Sequence, residues 1–260
     1  LVDAGPGHTR GAAKNLLEQL RVRGVKRLTR LIVTHADSDH IGGIRDVLAA
    51  APPDYLMVPA GAIDSPRLRS LFSATARRGI PIQPICAGDS WRDGTLQVRA
   101  IHPSPGQRGD GNDTSAVLQL QVGSFSALAM GDAGRSVEQQ LRLERKLEPT
   151  ELLIVGHHGS GSSTEMAFLR TIRPRVAVIS CGVDNRFGHP HPETLENLRT
   201  MGLRAFITAR HGSVAYKISG GHRQIGLTPS AIRKRDRMWH KRNHQHQDGN
   251  RSQRNAAPVE

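Results

Sequence analysis

The chain has 260 residues, of which 37% are hydrophobic and only 3% aromatic, and its formal net charge at pH 7 is +13. This length suits one domain with a sizeable core and an appendage. No run of about eighteen apolar residues occurs, which excludes a membrane span within this chain. Cys86 and Cys181 lie far apart, which excludes a disulfide framework or a zinc knuckle.

The apolar residues of the first half predict alternating helices and strands. The leucines between 14 and 23, for example, recur at helical spacing. The predicted helices cover 14–23, 43–50 and 65–78. The predicted strands cover 31–34, 55–58 and 95–102, and a loop rich in Gly and Pro follows over 104–113.

The second half continues this alternation. Two apolar runs on either side of Gly123 and Ser124 predict a β-hairpin. The predicted strands cover 116–122, 125–130, 176–180, 205–208 and 214–218, and a further buried strand begins at 152. The predicted helices cover 136–145, 164–172 and 193–201. Periodicity therefore predicts an α/β protein.

The segment Thr-His-Ala-Asp-Ser-Asp-His at 34–40 is the most informative stretch of the chain. Its four potential metal ligands are His35, Asp37, Asp39 and His40. Alternating residues of an extended loop project donors into one space, and imidazole with carboxylate suits zinc, iron or manganese better than calcium. A solvated polar loop is the alternative, but the ligand spacing favours a metal site.

Three other strands end in residues of the same type. Asp3 follows an apolar start, Asp132 follows a strand and a glycine, and the pair His157 and His158 follows the strand that begins at 152. Asp132 could bridge two ions, although it also precedes a helix that it could cap. The coincidence of these strand ends favours one shared site.

The ordered segments LVDAG, THADSDHIGG, GDGNDTSAVL, AMGDAG, VGHHGS and NRFGHPHPETL resemble the metallo-beta-lactamase superfamily. Within it they are most similar to the hydrolase domain of ComEC-type competence proteins, over residues 1 to about 218. The resemblance implies a four-layer αβ/βα sandwich with the site at one edge between the sheets. The chain begins without Met inside a motif, so we expect amino-terminal strands of this fold to be missing.

The resemblance implies that His35 and Asp37 hold a first metal ion. Asp37 replaces the middle His of the usual HxHxDH motif, and this oxygen ligand makes manganese or magnesium more plausible beside zinc. Asn112 or Asp113 stands where the superfamily usually places another His, and both remain open as ligands. Asp3 is expected to support the ligand loop rather than to bind metal.

The second ion would be held by Asp39, His40 and one member of the histidine pair. Alignment on the following glycine favours His158, with His157 as the alternative or as a residue that orients a ligand. Asp132 would bridge the two ions. We therefore expect two divalent ions, zinc or manganese, as cofactors.

A hydrolase also needs groups that handle protons and phosphate. His189 or His191 is the candidate for protonating the leaving oxygen, although a helix-entry role is the alternative for His191. We also assign Asp39 a catalytic role. Ser160 and Arg186 could contact phosphate oxygens, and for both an ordinary loop or capping role is equally open.

The resemblance implies a metal-dependent phosphodiester hydrolase, a DNA nuclease that degrades the non-imported strand during natural transformation. Two alternatives remain. One is hydrolysis of a lactam, a lactone or a small phosphodiester, because this fold hosts many reactions, and the other is a non-catalytic DNA-binding module. The expected partners are DNA and, in the full-length protein, a membrane channel domain. The expected location is the inner membrane, with this domain facing the periplasm or the cell exterior.

The charge distribution agrees with a polyanionic partner. Residues 230–260 contain eight Lys or Arg and three Asp or Glu, which leaves +8 of the net charge on the preceding part. Such an excess attracts phosphates, although arginine-rich coding alone could explain the tail. We expect a hydrolase domain over 1–228 and a basic, disordered tail over 229–260.

Overall fold

The computed structural model of the chain describes residues 1–7, 12–219 and 222–228. The tail that the sequence predicts over 229–260 lies outside the described residues. Within the described residues, no helix is long and apolar enough to cross a membrane.

The first half forms a three-stranded parallel sheet with helices. The strands are β1 (Leu28–Ile32), β2 (Pro53–Pro59) and β3 (Ile82–Ile85), in the order β1-β2-β3. The helices are α1 (Ala12–Val22), α2 (Ser38–Ile41), α3 (Ile44–Ala50) and α4 (Arg69–Ala76). The start of the chain lies beside β1, because Val2 bridges to Ile32 in parallel.

The second half forms a larger mixed sheet. In chain order its strands are β4 (Ser90–Asp93), β5 (Leu96–His102), β6 (Val117–Val122) and β7 (Phe125–Ala129), followed by β8 (Leu152–Ile154), β9 (Val176–Ile179) and β10 (Arg204–Ile207). The spatial order is β10-β9-β8-β7-β6-β5-β4, antiparallel from β4 to β7 and parallel from β7 to β9. Its helices are α5 (Arg135–Leu143), α6 (Met166–Ile172) and α7 (Pro192–Thr200).

Two apolar clusters define the layers. Between the sheets, Ile32 and Met57 of the small sheet pack in one cluster with Leu118 and Ala129 of the large sheet. The opposite face of the small sheet carries Leu31, which packs in a second cluster with residues of α3 and α4. Because side chains alternate along a strand, β1 therefore contributes to both layers at once.

The outer face of the large sheet is also apolar. Leu128 and Leu153 are register partners on β7 and β8, and both are almost fully buried. The helices α5 and α6 supply buried side chains for this layer, among them Leu141 and Phe168. Helix, sheet, sheet and helix thus follow one another, which is the α/β sandwich that the motifs predicted.

Most predicted elements lie within a few residues of the observed ones, but three differences have physical causes. The strand predicted over 31–34 is Leu28–Ile32, because the Thr34 N–H donates to the Asp3 carboxylate at 2.8 Å instead of to a neighbouring strand. The helix predicted over 65–78 begins as a 3-10 turn at Pro66–Leu68. Strands β3 and β4 were not predicted, because both are only four residues long and largely exposed.

The chain divides into two compact units, Leu1–Ala205 and Phe206–Glu260. The described part of the second unit contains a short helix, α8 (Thr208–His211), and an antiparallel hairpin. The hairpin strands are β11 (Ser213–Ser219) and β12 (His222–Thr228). The domain boundary predicted at 228 stays a prediction.

Candidate metal centre

Three strand ends deliver the candidate ligands. His35 to His40 follow β1, with Asp39 and His40 held on the short helix α2. Asp132 follows β7 after Gly131, whose φ is +55°. The pair His157 and His158 follows β8 in a left-handed conformation, with φ values of 49° and 54°. Such φ values are uncommon for residues other than Gly, and they cluster at functional sites.

Each of three imidazoles uses its Nδ1 atom to donate a hydrogen bond away from the centre. His40 Nδ1 donates to Asp3 Oδ2 at 2.7 Å, and His158 Nδ1 donates to the Ser180 carbonyl at 2.7 Å. The Thr34 hydroxyl donates to Asp3, so it can accept from His35 Nδ1, which lies 3.0 Å away. These bonds select the tautomers that leave the Nε2 lone pairs available.

The three Nε2 atoms converge on Asp132. His40 Nε2 lies 3.1 Å from Asp132 Oδ1, and His35 and His158 Nε2 lie 3.6 and 3.5 Å from Asp132 Oδ2. Asp39 Oδ2 is 3.3 Å from His158 Nε2. Asp132 therefore touches both halves of the predicted ligand set, as a bridging carboxylate must.

Two overlapping groups of donors have metal-site dimensions. One donor atom from each of His35, His40 and Asp132 lies within 4.8 Å of the others, and the same holds for Asp39, His40 and His158. The second group is the set predicted for the second ion, with His158 in the place that alignment favoured. His157 is in neither group.

Unpaired buried atoms test whether the residues fit a metal. His35 Nε2 and Asp132 Oδ1 are buried and make no hydrogen bond of good geometry, and the exposed fraction of both residues is below 5%. A buried donor or acceptor without a partner costs free energy, which a bound cation would offset. Imidazole nitrogens and carboxylate oxygens are also the donors that zinc and manganese accept, so this donor set fits.

Neighbouring groups shift the pKa values of the histidines and aspartates in the cluster. Burial lowers the pKa of His40, but the nearby carboxylates of Asp132 and Asp3 outweigh burial and raise the pKa to about 10. For His158, Asp132 and Asp39 overcome burial in the same way and raise the pKa to about 10. The hydrogen bond from His158 lowers the pKa of Asp39 to about 2. A divalent ion therefore has to compete with protons for these nitrogens.

One oxygen of the Asp37 carboxylate lies near His35, and the other is hydrogen-bonded to an arginine. Asp37 Oδ2 lies 3.7 Å from His35 Nε2, and its other oxygen accepts from Arg67 Nη1 at 2.6 Å. Arg67 also lies 3.8 Å from Asp110, whose backbone carbonyl accepts from the Ala36 N–H at 2.8 Å. A guanidinium thus holds in place the carboxylate that is predicted to replace the usual histidine ligand.

Asn112 and Asp113 occupy different surroundings. Asn112 Nδ2 lies 3.3 Å from His157 Nε2, and its Oδ1 is buried without a hydrogen bond. Asp113 is exposed, and its carboxylate accepts from the Ser136 hydroxyl at 2.9 Å. The free, buried oxygen of Asn112 makes it the better placed of the two, and the choice of ligand stays a prediction.

The predicted proton donors and phosphate contacts lie around this cluster. His189 stacks on His158, with ring centroids 6.4 Å apart, and its Nδ1 is buried without a partner. His191 is the exposed N-cap residue of α7 and packs on Gly161. The Ser160 hydroxyl is hydrogen-bonded to Ser162 at 3.0 Å, within the turn that follows the histidine pair.

An open cleft of about 700 Å³ lies beside the cluster. The cleft is lined by Asp132, by His157 and by residues at the amino-terminal ends of α5 and α7. The other lining residues are Asn112, Asp113, Gly134, Arg135, Ser136, Gly161, Ser162, His191 and Glu193. The cleft opens onto Asp132, the carboxylate that is predicted to bridge two ions.

Sequence reasoning missed three contributors. Thr34 lies inside the quoted motif, but only the fold shows that its hydroxyl connects Asp3 to two histidines. Arg67 lies 30 residues beyond Asp37 in a helical stretch that gives no local signal. The Ser180 contribution is a backbone carbonyl, which no side-chain pattern can indicate.

The fold and the donor groups define an α/β sandwich with a candidate metal centre at the strand ends. The model of the metallo-beta-lactamase superfamily matches residues 1–183, and the chain belongs to this superfamily. The resemblance drawn from the motifs is confirmed, and membership supports a metal-dependent hydrolase role.

Three curated relatives are of the ComEC type. The chain is 32% identical to ComE operon protein 3 of Bacillus subtilis, over 78% of this chain and 26% of that protein. It is 27% identical to Competence protein ComA of Neisseria gonorrhoeae, over 91% and 31%. It is 31% identical to Recombination protein 2 of Haemophilus influenzae, over 82% and 25%. These matches confirm the similarity to ComEC-type proteins, and the chain spans between a quarter and a third of their length.

Solved structures support the fold alone. Zn²⁺-bound PqqB from Methylobacterium extorquens aligns with a TM-score of 0.52 at 12% identity, over 79% of this chain and 80% of that one. The metallo-beta-lactamase fold protein YhfI from Bacillus subtilis aligns with a TM-score of 0.51 at 14% identity, over 86% of both chains.

Proposed function

We propose that this chain is a metal-dependent phosphodiesterase that cleaves DNA, with zinc or manganese as cofactor. The observation that carries the proposal is the convergence of three imidazole Nε2 atoms on one buried carboxylate, Asp132. In this assignment His35, Asp37 and Asn112 would hold one ion, and Asp39, His40 and His158 would hold the other. Asp132 would contribute a ligand to both.

Two ions held there would lower the pKa of water and stabilise charge on the attacking and leaving oxygens of a phosphodiester. The chain's own residues then orient the substrate. Burial and the neighbouring His157 and His158 lower the pKa of His189, which favours the neutral ring. A neutral ring offers one N–H donor to a phosphate or leaving oxygen and one lone pair to a proton in transit.

The choice of DNA as substrate rests on relatives and on charge. The relatives are named for competence and recombination, processes in which DNA is handled. The net charge of +13 favours a polyanion over a small neutral substrate, because basic residues attract phosphate and release counterions. We extend the proposal to degradation of the non-imported strand during transformation. In the full-length protein, a membrane channel domain would accompany this domain at the inner membrane.

The test is cleavage of labelled single-stranded and double-stranded DNA by protein loaded with zinc or manganese. Asp132→Asn and Asp39→Ala should each reduce the rate by at least about 100-fold, since the first replaces one carboxylate oxygen by an NH2 group that cannot bind metal and the second removes the carboxylate. Asp54→Asn is the matched control, because this carboxylate forms a surface ion pair with Arg27 and belongs to neither group of candidate ligands. Absence of cleavage by a folded, metal-loaded wild-type protein would redirect the function to another substrate or to DNA binding alone.

A further inference from the structure

The loop that joins β9 to α7 carries an exposed aromatic ring beside the candidate metal centre. Phe187 is 60% exposed, in a chain with only five phenylalanines. A singly exposed apolar residue needs no explanation in general. This ring differs because it belongs to an ordered series of planar groups.

The series runs from the surface to a candidate metal ligand. The rings of Phe187 and His189 are nearly parallel, with an angle of 17° and centroids 5.7 Å apart. His189 in turn stacks on His158, at 26° and 6.4 Å. The Arg186 guanidinium carbon lies 4.7 Å from the centre of the Phe187 ring. Most of the Phe187 ring stays accessible with these neighbours in place.

The loop is held by one asparagine. The Asn185 side chain accepts from the His189 N–H at 2.8 Å and donates to the His189 carbonyl at 2.7 Å. It also donates to the Gly182 carbonyl at 3.0 Å. Phe187 therefore sits on a loop that is braced at both ends, and the binding of a ligand that stacks there costs little ordering entropy.

We propose that Arg186, Phe187 and His189 form a stacking subsite for a nucleobase of single-stranded DNA, close to the phosphodiester that is cleaved. This inference rests on the proposed nuclease function and specifies its substrate. An aromatic face binds any base, and an adjacent arginine adds cation–π attraction and contacts phosphate. A base can reach Phe187 only when it is unstacked from its own duplex, so the subsite selects single strands without selecting sequence.

The experiment measures binding of a fluorescent phosphorothioate single strand to the metal-loaded protein by anisotropy. A matched strand has every base replaced by an abasic tetrahydrofuran unit. Phe187→Ala should weaken binding of the normal strand about 5- to 100-fold and leave binding of the abasic strand unchanged. Phe187→Trp should bind the normal strand within about twofold of wild type, because it keeps a larger π face.

Tyr55→Ala is the control, because Tyr55 is an exposed aromatic residue on β2, at 43% exposure. It should change neither strand's affinity. If Phe187→Ala binds both strands as wild type does, or loses both equally, the stacking subsite is wrong while wild-type cleavage of single strands upholds the nuclease function. If the wild type neither binds nor cleaves single-stranded DNA, the nuclease function and this inference fail together.

Discussion

Hydrogen bonds that the Asp3 carboxylate accepts determine which ring nitrogen of His40 and of His35 faces the candidate centre. Its carboxylate accepts from His40 Nδ1 and from both the N–H and the hydroxyl of Thr34. Thr34 in turn can accept from His35 Nδ1. Asp3 belongs to neither group of candidate donors, and its hydrogen bonds favour one tautomer in two candidate ligands. The supporting role that the family resemblance implied for it stays a prediction.

Asp3→Asn should weaken metal affinity by about 10- to 100-fold without removing a ligand. The amide keeps one acceptor oxygen, so it cannot accept from Thr34 and from His40 as the carboxylate does. A chelator competition titration measures this change, and the number of ions at saturation should stay as in wild type. An affinity equal to that of wild type would show that Asp3 does not position His40.

Glu138 is a buried carboxylate outside the metal centre. It is 1% exposed, and its oxygens accept from the N–H groups of Thr164 and Glu165 at 2.5 and 2.9 Å. This contact ties α5 to the segment after the histidine pair. Burial raises the pKa of Glu138 to about 7 against the pull of the two N–H groups.

The pKa of Glu138 predicts a pH dependence of stability. The folded value of about 7 lies above the ordinary value of 4.5, so the folded state binds the extra proton between these two pH values. The stabilisation that this proton gives the folded state is complete below about pH 4.5 and is lost as the pH rises through 7. The free energy of unfolding falls by on the order of 1 to 3 kcal/mol over this range. Glu138→Gln cannot titrate, so its free energy of unfolding should fall less than that of wild type between pH 5 and 7.5. Urea denaturation at both pH values measures this, and an equal fall in both proteins would contradict it.

At the residue scale, the sequence indicated the candidate ligands because His and Asp cluster visibly after apolar runs. It could not indicate partners that only the fold brings together. The contact of Arg67 with Asp37 and that of His158 with the Ser180 carbonyl join residues 30 and 22 positions apart. The position of Phe187 beside His189 likewise depends on the path of a loop.

At the scale of elements, the strand ends carry the site, and Gly131 shows how closely they pack. Gly131 has φ +55°, and a Cβ there would lie 3.0 Å from Thr34 Cβ and 3.2 Å from Ser115 Cβ. The ends of β7, of β1 and of the segment before β6 thus approach one another where Asp132 is delivered. Only glycine combines this backbone conformation with this approach.

Gly131→Ala should lower the free energy of unfolding by about 2 to 4 kcal/mol, because the strained φ and the overpacking add together. Gly123→Ala is the matched control, since Gly123 has φ +56° and a Cβ added there would meet no atom within 4 Å. It should lose only about 1 to 2 kcal/mol. Chemical denaturation compares the two variants, and equal losses would show that the strand ends can move apart.

Elements with strong periodicity were predictable, and short polar ones were not. The hairpin of β6 and β7 pairs Val122 with Phe125 around the predicted turn. By contrast, β3 contains Pro84 and has an exposed centre, and β4 is exposed at alternate residues. Such strands are specified by the sheet edge that they join and carry little signal of their own.

At the scale of the whole molecule, part of the positive charge lies in a stretch of sequence that does not contain the candidate metal ligands. The candidate ligands lie within the unit Leu1–Ala205. Eight of the basic residues lie in 230–260, outside the described part. Counterion release depends on the number of phosphates contacted, so residues 230–260 should affect DNA affinity and its salt dependence. The candidate ligands should affect metal content and turnover.

A chain that ends after residue 228 should keep its metal content and its turnover within about twofold. Its affinity for DNA should fall, and the slope of log K against log salt should become shallower by about 1 or more, because basic residues are removed. Binding titrations at several salt concentrations measure this. An unchanged slope would assign DNA binding to residues 1–228 alone, and a loss of metal would contradict the predicted domain boundary.

The measurement that tests the metal centre most directly is the number and position of bound ions, by elemental analysis and anomalous diffraction of metal-loaded crystals. We expect two ions per chain, about 3.5 to 4 Å apart, with Asp132 between them. Asp132→Asn should retain at most one ion. A single ion in the wild type, or ions held away from His35, His40 and His158, would contradict the two-metal centre.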